Sequence, residues 1–244
     1  MIEVADRVYR LGAKLVNWYL IEDGGRFTVI DAGLPTQFDQ LPAALSSQGA
    51  SIADVEAVVL THAHADHLGS SARIKDEGGA AVRVHDEDAA LARGEAEREV
   101  ERPFIKDLVH WFAWKSVVFF VRGGAMKSVP VAEVSTFSDG EVLDLPGKPR
   151  VIHTPGHTRG SASIQVGDRG VLFTGDALVT LNISTGVTGP RIMPGSFNWS
   201  SEKCLDSLSP LEGIEADLIL PGHGEPWSGS VSDAITAARQ VGPS

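Results

Sequence analysis

Four side chains that bind metal ions well follow a short apolar segment in the first third of the chain. His62, His64, Asp66 and His67 come directly after residues 58–60, a β-branched run that predicts a buried strand, and a helix is predicted to follow them. The four ligands therefore lie on the turn between strand and helix. Alternate residues of an extended turn point the same way, although they would not share a helix face. This spacing lets His62 and His64 reach one ion while Asp66 and His67 reach another, which suggests two metals.

Three further strand ends carry groups of the same kind. Two apolar runs end in Gly-Pro turns that contain His157 and His223, and a third ends in the turn Thr174-Gly175-Asp176. A lone histidine is more often structural than a metal ligand, but three of the eight histidines in this chain fall between positions 62 and 67. Four strand ends thus each supply an imidazole or a carboxylate, which indicates a shared metal site.

The motifs and their order resemble the metallo-β-lactamase superfamily in its dinuclear hydrolase form, which includes glyoxalase II and lactonases. The matching segments run from residue 31 to 224 and cover nearly the whole chain: Asp31-Ala32-Gly33, the THxHxDH stretch at 61–67, His157 in PGHT, Asp176 in TGD and His223 in PGHG. The resemblance implies that one metal takes His62, His64 and His157, that the second takes Asp66, His67 and His223, and that Asp176 bridges them. It also implies a four-layer α/β/β/α sandwich with the metals at the strand ends.

Composition limits the fold and the partners. A chain of 244 residues with 43% hydrophobic content can bury one large core, so we expect a single α/β domain over residues 1–244. The net charge of −11 argues against a nucleic-acid partner, which needs a basic face. The single cysteine, Cys204, can form no internal disulfide, and residues 1–6 lack the features of a signal peptide. We therefore expect a cytoplasmic protein with a small-molecule substrate and no membrane partner.

Asp31 ends an antiparallel meander that is predicted over residues 2–31. In its Asp-Ala-Gly turn the carboxylate can accept hydrogen bonds from turn amides, or it can support a metal ligand without touching the metal. We therefore assign Asp31 to the support of the ligands rather than to catalysis. In the second half of the chain, strands are predicted over residues 140–145, 150–154, 161–166, 171–174 and 217–220, and helices over 201–208 and 230–240.

Two segments depart from this pattern of strands and turns. Residues 94–130 predict a helical insert with a mostly apolar stretch that is too short and too polar to span a bilayer. The insert fits a core helix, the surface of a homodimer or a cover over the active site, and only as a cover would it make His110 a substrate contact. Residues 177–200 lack periodicity and predict a substrate-binding lid. Arg191 is the only charged residue of that lid, and it is a candidate for gripping an anionic substrate.

The ligand types and the resemblance together predict the chemistry. Nitrogen and oxygen ligands suit two zinc ions best, while iron, manganese or cobalt stay open on ligand type alone. The resemblance implies a hydrolase in which a hydroxide that bridges the metals is the nucleophile, with Asp66 orienting it. The alternative from another class is a mononuclear iron enzyme similar to persulfide dioxygenases, which share the fold but need only two histidines and an aspartate.

The substrate class is narrowed by what the chain lacks. Only twenty-one residues follow His223, too few for the basic helical region with which glyoxalase II relatives bind glutathione. The chain's tyrosines, Tyr9 and Tyr19, lie far from the position after the TGD turn where lactonase relatives carry theirs. Zinc β-lactamases generally lack the aspartate that Asp176 supplies, and the acidic charge disfavours RNA-processing phosphodiesterases. We therefore expect hydrolysis of a small-molecule ester, lactone or thioester with a partly hydrophobic acyl group.

Overall fold

The computed structural model describes residues 1–127 and 129–243. Ser128, in the predicted helical insert, and Ser244, at the end of the predicted domain, lie outside the described residues. The first half of the chain forms a seven-stranded sheet in which the strands follow one another in sequence order. Its strands are β1 Ile2–Ala5, β2 Val8–Ala13, β3 Val16–Asp23, β4 Arg26–Ile30, β5 Val55–Val59, β6 Ala81–His85 and β7 Ser135–Phe137. Strands β1 to β4 form the antiparallel meander, and β4 to β7 run parallel.

The second half forms a five-stranded sheet and a short ribbon. The strands of the sheet are β8 Arg150–His153, β9 Ala162–Val166, β10 Val171–Gly175, β13 Leu218–Pro221 and β14 Trp227–Ser228, and those of the ribbon are β11 Val179–Leu181 and β12 Thr188–Arg191. Within the sheet only β10 and β13 pair in parallel. Their carboxyl ends therefore lie side by side, and these are the ends that carry Asp176 and His223.

Helices cover the outer face of each sheet and give the predicted four layers. The helices are α1 Gln40–Ser47, α2 Ala65–Leu68, α3 Ser71–Gly78, α4 Ala89–Ala92, α5 Trp111–Arg122, α6 Ser201–Asp206 and α7 Val231–Val241. One apolar core lies between the first sheet and α1, α3 and α4, a second between the two sheets, and a third between the second sheet and α6 and α7. The central strands of the two sheets are buried on both faces, so β4, β5, β10 and β13 contain mostly apolar residues rather than a strict alternation.

The insert at 94–130 contains helix α5, and its exposure excludes the alternative of a core helix. Trp111 is 72% exposed and Val118 is 47% exposed, while Ala113 and Ser116 on the opposite face are buried. The inner face lies over the cavity described below, as expected for a cover. The outer face of α5 is apolar and exposed, so a homodimer surface on this face stays a prediction.

One other prediction of local structure was wrong, and one segment is more regular than its sequence indicates. Residues 177–200 lack a periodic pattern in sequence, but they contain the β11–β12 ribbon and are largely buried. The strand predicted over residues 140–145 reduces to a single bridge between Val142 and Arg150. Its pairing ends there because the chain turns back at Gly147, which has a φ of 82° that a strand does not adopt.

Among the residues that the structure describes, no helix has the length and apolar character needed to cross a membrane.

Candidate metal centre and its cavity

Seven histidine and aspartate side chains meet where the two sheets come together. His62 and His64 follow β5, and Asp66 and His67 lie in α2, directly after them. The second sheet and its turns bring His157, Asp176 and His223. Three groups of these side chains have ligand atoms within 4.8 Å of one another, namely His62-His64-His157, His62-His67-Asp176 and Asp66-His67-His223. The structure therefore brings together every ligand residue that the sequence indicated.

Asp176 lies between the two histidine groups. Its Oδ2 atom is 3.9 Å from Nε2 of His62 and 3.3 Å from Nε2 of His157. The same oxygen is 3.0 Å from Nε2 of His223, while Oδ1 is 3.5 Å from Nε2 of His67. One carboxylate thus faces imidazoles of both groups, which is the arrangement that a carboxylate shared by two ions requires.

The Nδ1 atoms of four histidines have hydrogen-bond partners, which leaves Nε2 directed into the centre. Nδ1 of His67 lies 2.8 Å from Asp31 Oδ2, and Nδ1 of His157 lies 3.1 Å from Asn198 Oδ1. Nδ1 of His223 bonds the carbonyl of Leu15, and Nδ1 of His62 lies 3.1 Å from the hydroxyl of Thr61. Such partners fix the tautomer and the ring orientation of metal-binding histidines. His64 differs, since its Nδ1 faces the centre, 2.8 Å from Nε2 of His157.

Several polar atoms of the centre are buried without a partner among the described residues. They are Nε2 of His62, His64 and His67, and Oδ1 of Asp176. Buried polar atoms normally have hydrogen-bond partners, so a cluster of orphaned atoms needs an explanation. Metal ions coordinated by Nε2 of His62 and His67 and by Oδ1 of Asp176 would satisfy these three atoms, whereas His64 presents Nδ1 to the centre. The donor set of imidazoles and carboxylates therefore fits divalent transition metals.

The protonation of the centre follows from burial and from neighbouring charge. Burial lowers the pKa of His62 and His64 well below the ordinary value, so both imidazoles are neutral and able to coordinate a metal. Burial alone would raise the pKa of Asp176, but the imidazoles of His223 and His67 hold it well below its usual range. The carboxylate is therefore ionised, as a metal ligand must be.

Asp31 connects the first metal-binding turn to His67. Its Oδ1 accepts a hydrogen bond of 2.8 Å from the backbone N–H of Thr61, while Oδ2 faces His67. Asp31 adopts a left-handed backbone conformation with a φ of 58°, which is uncommon for residues other than glycine. Such strain persists where the surrounding contacts determine the conformation. The carboxylate lies beside two ligand-bearing positions and does not itself belong to the groups that could hold an ion.

Two residues of β3 hold the turn that carries His223. The buried amide of Asn17 donates to the carbonyls of Pro221 at 3.0 Å and Gly224 at 2.7 Å. The hydroxyl of Tyr19 donates to the same Pro221 carbonyl at 2.7 Å. The first sheet therefore positions a ligand of the second sheet. Sequence reasoning missed both residues, because nothing in the opening meander marks a contact some 200 positions away.

Asp88 holds the turn that carries His62 and His64 and the turn that carries His157. Its carboxylate accepts hydrogen bonds from Ala63 N at 3.0 Å and Thr158 Oγ1 at 2.8 Å, and also from Gly160 N at 2.8 Å. Ala63 lies between two metal-binding histidines, and Thr158 follows His157 directly. Asp88 thus ties the turn of the first sheet to that of the second. Sequence reasoning missed this role, since Asp88 is one of several acidic residues at a helix start.

A cavity of about 540 Å³ opens above the centre. His64, Asp66, His157, Asp176 and His223 form its floor. Its walls are mainly apolar and come from the 94–130 insert and from the 177–200 segment, and they include Phe104, Val117, Phe120, Ile183, Met193 and Phe197. Cavities of this size and character bind small molecules. The two segments that departed from the strand pattern in the sequence therefore build the walls of the cavity.

The two substrate contacts proposed from the sequence lie away from this cavity. Arg191 is buried in β12, where its guanidinium donates to the carbonyls of Gly189 at 2.9 Å and Thr188 at 3.0 Å. His110 is an exposed residue at the start of α5. Neither is among the described residues that line the cavity. The described residues that do line it include the cation Arg98, which sequence reasoning missed because residues 95–99 are mostly charged.

The fold and the centre together define a metal-dependent hydrolase. The sequence model of the metallo-beta-lactamase superfamily matches residues 11–223, and the chain belongs to that superfamily.

Two relatives are similar to this chain over most of its length. The chain is 28% identical over 239 residues to the probable metallo-hydrolase YflN of Bacillus subtilis, covering 93% of this chain and 87% of the relative. It is 28% identical over 234 residues to the human acyl-coenzyme A thioesterase MBLAC2, covering 90% of this chain and 76% of that protein.

Solved structures show the same fold. The metallo-beta-lactamase family protein TTHA1429 of Thermus thermophilus superposes with a TM-score of 0.68 at 28% identity, over 96% of this chain and 78% of that one. A metallo-beta-lactamase of Cronobacter sakazakii, a mutant of its HARLDQ motif, superposes with a TM-score of 0.70 at 21% identity, over 98% of this chain and 94% of that one.

Proposed function

We propose that this protein hydrolyses small-molecule acyl thioesters or esters with the help of two divalent metal ions, preferably zinc. The observation that carries the proposal is the combination of a floor of metal-binding side chains and a largely apolar wall in one cavity. The floor suits the carbonyl group that is cleaved, and the wall suits an acyl chain. The similarity to a protein named as an acyl-coenzyme A thioesterase supports a thioester.

The residues of the centre would bind the two ions and position the attacking water. His62, His64 and His157 would hold one ion, and Asp66, His67 and His223 the other, with Asp176 between them. Bound there, two divalent ions supply an activated water and a Lewis acid for the substrate carbonyl. Asp66 is partly exposed on the cavity floor, so its carboxylate can accept a hydrogen bond from a nucleophilic water. The apolar walls would exclude bulk water and align the acyl chain.

The first test is the metal content of the purified chain together with a substrate panel. We expect about two zinc or similar ions per chain on protein prepared without added metal or chelator. The metal-loaded protein should cleave acyl thioesters and esters faster than lactones, β-lactams or phosphodiesters. About one iron per chain, with oxygen consumption on a persulfide, would contradict the proposal and favour a dioxygenase.

The second test concerns the acyl group. Phe120 lines the cavity, and its ring centroid lies 6.2 Å from that of His223. Replacing it in Phe120→Ala removes apolar wall, so we expect kcat/KM to fall most for the acyl length that the wild type prefers. The neighbouring ring of Phe119 belongs to a different surface, so Phe119→Ala is the matched control. An equal effect of both variants on all acyl lengths would contradict the assignment of the wall.

A further inference from the structure

Arg98 is the cation of the cavity lining, and its environment is unlike that of the neighbouring arginines. Arg93 forms an ion pair of 2.8 Å with Glu95, Arg102 one of 2.7 Å with Asp107, and Arg159 one of 3.0 Å with Glu99. Arg98 has no carboxylate within ion-pair distance among residues 1–127 and 129–243. Its Nη2 donates to the carbonyl of Ser196 at 3.2 Å, and its guanidinium carbon lies 5.2 Å from the ring centroid of Phe197.

These two contacts orient Arg98 without neutralising it. Ser196 and Phe197 both line the cavity, so the guanidinium is held against the cavity wall while much of the side chain stays accessible. A guanidinium has five N–H donors, and the carbonyl of Ser196 accepts from one nitrogen. The remaining donors are available to a molecule in the cavity. A bidentate pair with a carboxylate or phosphate is the interaction for which this group is best suited.

The carboxylates of the centre do not explain this charge. Asp66 and Asp176 lie near enough to influence Arg98, although outside ion-pair distance. Under the proposed function both are ligands of divalent ions, which carry more positive charge than two carboxylates neutralise. In the metal-loaded protein Arg98 therefore faces a centre that no longer offers it negative charge. A cation on an otherwise apolar cavity wall is therefore placed to pair with an anion from outside the chain.

We propose that Arg98 binds an oxyanion of the substrate, a carboxylate or a phosphate, so that the preferred substrate is an acyl thioester or ester with an acidic group. The inference rests on the proposed function only in treating that anion as part of a substrate. The anion would lie at the Arg98 side of the cavity, and the apolar walls would accommodate the chain between it and the carbonyl over the metals. Arg98 would thereby select the substrate and fix its direction in the cavity.

Binding of uncleaved analogues to the metal-loaded protein tests the inference directly. The probes are N-methylhexanamide and its two derivatives with a carboxylate or a phosphate at carbon 6, measured by titration calorimetry. Since a charge-assisted bidentate pair is strong, the wild type should bind at least one anionic derivative about tenfold or more tightly than the neutral amide. Which derivative gains more distinguishes the carboxylate from the phosphate.

Three variants make the result specific. Arg98→Met keeps the length of the side chain and removes the charge, so it should abolish the preference for the anion and leave binding of the neutral amide unchanged. Arg98→Lys should keep part of the preference. Arg159→Met removes an exposed cation whose partner is Glu99, and it should behave as wild type. An unchanged preference in Arg98→Met, or no preference in the wild type, would overturn the proposal.

Hydrolysis of the corresponding thioesters separates this inference from the proposed function. If the function is right, Arg98→Met should raise KM for the acidic thioester about tenfold, with kcat and the neutral thioester little changed. If none of the thioesters is cleaved, the proposed function fails, and the calorimetric result still decides the role of Arg98. A fall in kcat for both thioesters would show that Arg98 acts on the centre rather than on a substrate anion.

Discussion

Asp176 is the residue on which the metal centre depends most, because its two oxygens face both groups of histidines. Asp176→Asn replaces one of those oxygens by an amide nitrogen that cannot coordinate a metal. We expect the metal content to fall below that of the wild type and kcat to drop by about 100-fold or more, since even the loss of an outer partner typically costs 10–100-fold. Elemental analysis and steady-state kinetics measure both effects. Asp206→Asn, at an exposed position, is the control, and full activity of Asp176→Asn with both metals retained would refute the role.

His67 makes the metal-free chain sensitive to alkali. Burial alone would lower the pKa of His67, but the carboxylates of Asp176, Asp31 and Asp66 raise it to about 10. In the unfolded chain a histidine titrates near 6.5. The folded pKa is the higher one, so the protonated ring contributes stability that is fully present below about pH 6.5 and is lost as the pH rises towards 10.

The midpoint of thermal unfolding checks this expectation. After chelation it should fall between pH 7 and pH 10, and the fall should be smaller in Asp31→Asn, which lacks one of the three carboxylates. Metal-loaded protein should not show this component, because metal coordination replaces the proton on His67. A midpoint of the metal-free chain that stays level or rises over this range would contradict the assignment.

At the scale of single residues, the sequence indicated the metal ligands but not the residues that contact them or line the cavity. His62, His64 and His67 could be predicted because their spacing is local and their chemistry is specific. Arg98 and Asp88 could not, because each is one charged residue among several in sequence and gains its role from contacts far along the chain. Arg191 was a reasonable candidate by charge alone, but backbone carbonyls in its own ribbon take its donors.

At the scale of the elements, the short turn after β6 is important for the metal centre, because its Asp88 connects two metal-binding turns. The carboxylate of Asp88 accepts hydrogen bonds from three donors. In Asp88→Asn an N–H₂ group replaces one carboxylate oxygen, so at least one of these donors faces another donor. A buried donor left without an acceptor costs about 1–3 kcal/mol, so we expect the free energy of unfolding to fall by about that amount. Metal affinity should fall as well, since the turns of His62 and His157 would lose their common anchor.

Denaturant unfolding and metal titration measure these two effects. Glu87→Gln changes the adjacent exposed acid and should alter neither. If Asp88→Asn lost stability while its metal affinity stayed at the wild-type value, Asp88 would support the fold but not the centre.

The elements themselves were predicted best where one short apolar run makes one strand. Strands β5, β8, β9, β10 and β13 lie close to their predicted positions because each is buried on both faces and ends at Gly, Pro or a polar turn. Strands β11 and β12 were missed. Their residues are buried by the cavity-forming insert, a distant part of the chain, so no periodic pattern of their own marks them. The sequence also did not indicate which face of α5 lines the cavity. Trp111 and Phe120 are both aromatic, but of the two only Phe120 lines the cavity.

At the scale of the whole molecule, the metal centre links the two halves of the sandwich. His62, His64, Asp66 and His67 follow the first sheet, while His157, Asp176 and His223 come from the second. Ions bound between them would therefore hold the sheets together, in addition to the apolar core that the sheets share. Because an unfolded chain offers no such preformed site, metal binding stabilises the folded state by mass action.

The size of this stabilisation can be measured by chelation. Metal at 100 times its Kd stabilises by about 2.7 kcal/mol, and for chains of this length each kcal/mol shifts the midpoint of thermal unfolding by about 2–4 °C. We expect chelation to lower the midpoint by roughly 5–10 °C, and zinc to restore it. Asp176→Asn, which has lost part of the link, should respond less to both treatments. A wild-type midpoint that does not change on chelation would mean that the folded chain binds the ions no more tightly than the unfolded chain does, and that the shared core alone determines the stability of the sandwich.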